Sequence, residues 1–234
     1  MTRKLKVLIL QHEEPTPPGY LAEWLDDQKA EVDVHRIDLD ETTRDPRDYD
    51  FIASLGSEFA AFDDSKPFIP REAELLRAAT KADVPVLGLC FGGQLLARVL
   101  GGKSFRSEHS EIGWLPVQSQ DPELVSEGPW FNWHFDTFTL PPGAKLIADT
   151  AVGPQAYVIG RNLGLQFHPE VTPQIMDNWV HAYRHELDAE GVDPDALLEE
   201  TKQRAPQARK TTERLLNNFL DGIARLKSET ESGG

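Results

Sequence analysis

One cysteine, Cys90, occurs in the 234 residues. No intrachain disulfide and no cysteine-built zinc site can come from it, so nothing in the composition calls for an oxidising compartment. Basic residues are scarce too: 24 Lys and Arg against 39 Asp and Glu leave a net charge of −15 and a pI near 4.8. Nucleic-acid affinity rests on cations that neutralise phosphates, so neither nucleic acid nor an anionic membrane surface is an expected partner. Long apolar runs are missing. Near the N-terminus only residues 7–10 form such a run, too short for a signal-peptide core. The longest uncharged stretch, 84–97, contains Pro85, Gly88, Gly92 and Gly93 and falls short of the roughly 20 apolar residues that span a bilayer. The expectation is a cytoplasmic protein with no membrane segment. What remains, 39% hydrophobic residues with 11 Phe and 5 Trp, is enough for a packed core.

Short β-rich runs alternate with helix-like segments through the first hundred residues, the pattern of βαβ units on a parallel sheet. Strands are expected at 7–10, 32–37 and 51–53, and at 84–90, which is apolar on both faces as a buried central strand should be. Leu21, Trp24 and Leu25 mark one helix, Ala73, Leu76 and Ala79 another, and a third begins near Gly92. Runs at 112–117, 144–148, 156–159 and 163–167, separated by Pro/Gly turns, read as antiparallel strands added to the sheet. Beyond Pro173 the periodicity predicts helices over 175–187 and 195–202. A last helix carries Leu215, Leu216, Phe219, Leu220, Ile223 and Leu226 on one stripe. Breaks at 191–194 and 205–206 read as interhelical turns and 228–234 as a frayed polar tail. The expected organisation is an α/β domain over 1–190 with a helical extension, 191–234, packed on it.

Cys90 ends the central apolar strand and is followed at once by Phe91-Gly92-Gly93-Gln94 and a helix. Glycines there permit the tight, strained turn that lifts a nucleophile above a sheet, and amides at a helix N-terminus favour a thiolate. The bland reading is a buried core cysteine, which is how free cysteines usually behave. A second element is Gln166-Phe167-His168-Pro169-Glu170. In extended chain, residues two apart point to one side, so Glu170 can hold the His168 ring: thiolate, imidazole base, carboxylate orienter. A structural histidine and a helix-start acid are the alternatives for that pair.

Residues 86–97 and 164–171 resemble the two signature segments of class I glutamine amidotransferases. Leu55-Gly56-Ser57, Glu111-Ile-Gly-Trp114 and Trp133-His-Phe-Asp136 are similar to stand-alone proteins related to the amidotransferase domain of GMP synthase. The resemblance spans roughly residues 5–175 in family order. It implies a flavodoxin-like, doubly wound, mostly parallel sheet with added antiparallel strands. It also implies that Cys90 attacks the side-chain amide of glutamine, that His168 moves the proton and that Glu170 orients it. The backbone N–H groups of Phe91 and Gly56 would form the oxyanion hole, and Gln94 would hold the substrate's α-amino-acid end. Leu55 and Ser57 depart from the pattern, since relatives commonly carry two glycines and a proline there. His134 stands where relatives often have His-Gly-Asp and is read as structural or substrate-proximal.

Glu13, Glu14, Asp63 and Asp64 form no pattern with His35, His109, His181 or His185. His181 and His185 are four apart, but no third ligand joins them, so no metal is expected. The aromatic residues of 130–138 read as a packed sheet edge, with a substrate mouth as the alternative. No Walker or dinucleotide fingerprint is present, so no cofactor and no ATP site are expected. Three functional readings follow: a glutaminase supplying ammonia to a synthase or acceptor partner chain, a γ-glutamyl peptidase or hydrolase, and a dormant binding or regulatory subunit.

Overall fold

A computed structural model describes residues 3–226. The elements are β1 (Lys6–Gln11), α1 (Gly19–Asp27), β2 (Glu31–Arg36), β3 (Phe51–Ser54), α2 (Phe68–Lys81), β4 (Val86–Leu89) and α3 (Phe91–Val99). They continue with β5 (Ser104–Leu115), β6 (Gln118–Ser119), β7 (Trp130–Phe138), β8 (Lys145–Asp149), β9 (Pro154–Ile159) and β10 (Asn162–Leu165). Three helices, α4 (Pro173–Ala182), α5 (Arg184–Glu190) and α6 (Pro194–Asn218), complete the order before a π-helical turn, Phe219–Ile223.

Eight strands make one sheet in the order β2-β1-β3-β4-β10-β9-β8-β6. The first five run parallel. The last three add antiparallel pairings. Parallel strands need both faces covered, and β3 and β4 are buried at every position. On one face Val7, Ile9, Phe51 and Leu87 pack with Trp24 of α1 and with Leu215, Leu216 and Phe219 from the C-terminal helical region. On the other, Leu8, Leu10, Ile52 and Val86 meet Leu76 of α2 and Leu95 of α3. The result is the doubly wound α/β architecture, with the carboxyl ends of β1, β3, β4 and β10 at one edge.

Three expectations need correction. The 112–117 run does not join the main sheet: it lies in β5, which pairs only with β7 in a two-stranded ribbon, with a register shift between Arg106 and Glu111. β7 itself shows no alternation because Phe131 and Trp133 are buried in a third cluster with Ile175, Met176 and Trp179 of α4. The 175–187 helix divides at Tyr183 into α4 and α5. Finally, α6 runs unbroken through Pro206. Proline in a helix interior costs about 3 kcal/mol, but α6 is anchored on both sides of it. Asp193 caps its start, accepting from the Asp195 and Ala196 amides. Leu197, Thr201, Thr212, Leu215 and Leu216 bury its inner stripe. The expected polar tail, 228–234, lies outside the described residues.

Candidate active site

The site begins with the backbone at the end of β4. The Cys90 amide donates to Leu165 O of β10 at 2.9 Å, and Cys90 itself sits at φ 50°, ψ −107°. Few non-glycine residues adopt positive φ, and such strain concentrates at functional sites. The neighbouring glycines serve another purpose than the one their sequence suggests. Neither has positive φ. A Cβ on Gly92 would stand 2.2 Å from Ser54 O, and one on Gly93 would stand 2.3 Å from Leu165 O. They let α3 approach the sheet, while the strain rests on the cysteine.

His168 follows β10, its amide donating to Phe131 O at 2.7 Å. Its Nδ1 lies 2.8 Å from Glu170 Oε1, both residues being almost fully buried. The ring packs edge-on against Trp179 at 4.8 Å. Burial alone would disfavour the imidazolium, but the Glu170 carboxylate and then Cys90 outweigh it and push the His168 pKa up to about 10. The chain around the pair is pinned from outside: Tyr20 N donates to Glu170 O at 2.9 Å, and Thr212 Oγ1 of α6 donates to Pro169 O at 2.6 Å.

Gly56 lies over this pair. A Cβ there would come within 2.7 Å of His168 Cε1 and 3.8 Å of Cys90 Cβ, so glycine, Cys90 and His168 converge on one point. Both peptides flanking Gly56 have their carbonyls engaged. Leu55 O accepts from Gly92 N at 3.1 Å, and Gly56 O accepts from His12 Nδ1 at 3.0 Å. His12 Nε2 lies 2.6 Å from Glu72 Oε2, and Ser54 Oγ donates to Glu72 Oε1 at 2.5 Å. The sequence reading passed over His12, Glu72 and Ser54. The available signals were a histidine just beyond the carboxyl end of a parallel strand and a lone acid on the apolar stripe Ile69, Glu72, Ala73, Leu76.

Gln94 donates to Asp136 O at 3.1 Å and Gln166 Oε1 at 3.2 Å. Gln166 Nε2 in turn lies 3.7 Å from Cys90 Sγ, a contact the sequence reading also missed. His134 turns to a different partner. Its Nδ1 donates to Asp136 O at 3.0 Å, and its Nε2 lies 3.1 Å from Glu111 Oε2 without a hydrogen bond, while that oxygen accepts from Gln155 Nε2 at 2.6 Å. Cys90, Gly56, Phe91, Gln94, His168 and His134 all border one cleft of about 610 Å³, including solvent at its mouth. Trp133 and Phe135 line it with Tyr183, Glu58 and Glu186, whereas Trp130, Phe131 and Phe138 are core. The aromatic segment is therefore part cleft wall and part core, carried on a strand of the two-stranded ribbon and not at the edge of the main sheet. His181 and His185 fall on separate helices. Among the described residues no cluster of three or more His, Cys, Asp or Glu could hold a metal, and no helix is long and apolar enough to cross a membrane.

Residues 21–182 match the family described as glutamine amidotransferase class-I. A glutamine-hydrolysing GMP synthase from Alkalilimnicola ehrlichii is 36% identical over 173 residues, covering 64% of this chain and 31% of that protein. The chain thus spans about a third or less of the GMP synthases it matches. A glutamine amidotransferase crystal structure from Thermotoga maritima superposes with a TM-score of 0.86 at 30% identity, covering 94% of this chain and 100% of that one. Another from Methylobacillus flagellatus gives 0.86 at 28% identity, with 99% of each chain covered.

Proposed function

The chain belongs to the class I glutamine amidotransferase family, and from that premise we propose that it hydrolyses the side-chain amide of glutamine with Cys90 as nucleophile. The carrying observation is the strained Cys90 bordering one cleft together with His168, whose ring is hydrogen-bonded to the buried Glu170. Cys90 Sγ attacks the γ-carbonyl carbon, and the imidazolium of His168 gives its proton to the departing nitrogen, so ammonia leaves and a γ-glutamyl thioester remains. Water then attacks the thioester while His168 takes its proton, and the thiolate leaves with glutamate. Glu170 fixes the ring's tautomer and direction. The amides of Phe91 and Gly56 stabilise the oxyanion, a contribution that typically amounts to about 10²–10³-fold per donor. Gln94, its Nε2 engaged by Asp136 O and Gln166, meets the substrate's α-amino-acid end through Oε1. Ammonia so released goes to a synthase or other acceptor on a partner chain, as the family's kinship with GMP synthases suggests.

A second reading changes the leaving group. Trp133, Phe135, Tyr183, Glu58 and Glu186 on the cleft wall offer apolar and acidic surface to the amine portion of a γ-glutamyl peptide or amine. Comparing kcat/KM for glutamine with that for a γ-glutamyl panel separates the two. Preference for a peptide favours the second, and turnover of glutamine alone favours the first. The dormant reading, motivated by Leu55 and Ser57, requires Cys90 to be unreactive. Rapid labelling of Cys90 by a glutamine-mimicking electrophile at neutral pH eliminates it.

A further inference from the structure

We infer that His12 is a positioning residue for this reaction, holding the peptide that follows Gly56 and so restraining the loop that carries the Gly56 amide toward the oxyanion. The inference rests on the amidase reading above. Leu55-Gly56-Ser57 has no proline to restrict it, so the two peptides around Gly56 depend on hydrogen bonds for their direction. In a trans peptide the N–H points opposite to the C=O. Pinning Leu55 O by Gly92 N–H directs the Gly56 N–H, and pinning Gly56 O by His12 holds the next peptide, so Gly56 between the two tethers cannot rotate its amide away. The first of these tethers belongs to α3. The second is supplied by the side chain of the residue that follows β1.

His12 touches the other donor segment as well. Its ring meets Phe91 edge-on at 4.6 Å, so one imidazole abuts both the Gly56 loop and the residue after the nucleophile. It is held there by Glu72, and His12 and Glu72 side chains are both 0% exposed. A carboxylate buried among Ile69, Ala73 and Leu76 is costly unless its oxygens are satisfied. Here Oε1 receives Ser54 and Oε2 receives His12, leaving the chain Ser54–Glu72–His12–Gly56 fully connected. Burial opposes a charged His12, but the Glu72 carboxylate prevails and raises its pKa, so both ring nitrogens can donate at once. Charge-assisted bonds of this kind are about twice as strong as neutral ones and suit a part that must not rotate.

Two substitutions at His12 separate this role from a structural one. In His12→Asn the side-chain amide nitrogen takes the place of Nδ1 and keeps the bond to Gly56 O, but strands Glu72. In His12→Gln the amide nitrogen takes the place of Nε2, keeping Glu72 satisfied but releasing Gly56. Kinetics on the best γ-glutamyl substrate should be measured with the rate of Cys90 alkylation by iodoacetamide, a reaction that needs no oxyanion hole. We expect His12→Gln to lose about 10²-fold in kcat, the cost of a misplacement of about 1 Å in the loop that carries the Gly56 donor. Its KM should stay within about threefold and its alkylation rate within about twofold of the wild type. His12→Asn should recover most of the loss, to within about tenfold of wild type. A structural role reverses the order, because stranding a buried carboxylate is the greater insult to the fold. The inference is overturned if His12→Asn is the slower variant, or if His12→Gln keeps wild-type kcat. Should His12→Gln not fold, the isosteric Glu72→Gln carries the test: about tenfold or more lost in kcat with alkylation unchanged upholds it, and wild-type kcat overturns it. A wild-type protein with no Cys90-dependent turnover would instead defeat the functional reading itself.

Discussion

Replacing Gly56 with alanine probes the close approach of this loop to the His168 ring. The added Cβ would stand 2.7 Å from His168 Cε1, against about 3.4 Å for an ordinary carbon contact, so roughly 0.7 Å must be found. His168 cannot easily supply it. Its Nδ1 is bound to Glu170 at 2.8 Å, its amide to Phe131 O at 2.7 Å, and its ring lies against Trp179. The loop is equally held, through Leu55 O and Gly56 O. The displacement therefore goes into the distance between the imidazole and the reacting atoms. A misplacement near 1 Å costs about 10²-fold in rate, or about 2.7 kcal/mol in the barrier. Glutamate release under saturating substrate should fall by about 10²-fold, with the variant still folded by circular dichroism. Gly222→Ala is the control, since nothing lies within 4 Å of its Cβ position and its φ is not positive. Turnover by Gly56→Ala within about threefold of wild type would refute the convergence of Gly56, His168 and Cys90 as the reacting centre.

Other expectations concern charge and packing. Glu170→Gln removes the main support of the raised His168 pKa, so the alkaline limb of kcat should move from near pH 10 to lower pH. An unmoved limb would deny that Glu170 controls the ring. For stability the sign is the same: with the folded pKa above 6.5, the contribution of the imidazolium is complete below pH 6.5 and is lost as pH rises toward 10. Thermal unfolding of wild type and variant across that window should converge at its alkaline end. Burial pushes Glu13 up to about 7 from 4.5, so the native state loses stability as pH rises through that range. Glu13→Gln should flatten this dependence and gain about 2 kcal/mol at pH 8, and an unchanged slope of Tm with pH contradicts it. Pro206→Ala restores an amide donor inside α6 and should raise stability in urea by about 1–3 kcal/mol. A fall would mean that the proline shapes the helix it interrupts.

The parts of the fold and site that sequence made legible are those written in local pattern. The apolar run ending at Cys90 and the two-residue spacing of His168 and Glu170 each specify geometry within one segment, and the structure brings the three together. The glycines beside Cys90 were correctly singled out for a tight junction, but their purpose is contact with Ser54 and Leu165, residues far away in sequence. His12 and Glu72 are 60 residues apart and could not be paired without the sheet order that joins β1 to β3 and β4. β7 escaped because its aromatics are covered on both sides, which erases alternation. The continuity of α6 through Pro206 was illegible for a related reason: burial of a long inner stripe overrode a local breaker.

The most direct test of the central claim is intact-mass and peptide mapping of the protein after a short exposure to a glutamine-mimicking electrophile, beside ammonia and glutamate release from glutamine and γ-glutamyl peptides. The account predicts a single adduct on Cys90, and release that disappears in Cys90→Ala. Release that persists in Cys90→Ala, or a wild-type protein with neither adduct nor turnover, would contradict it.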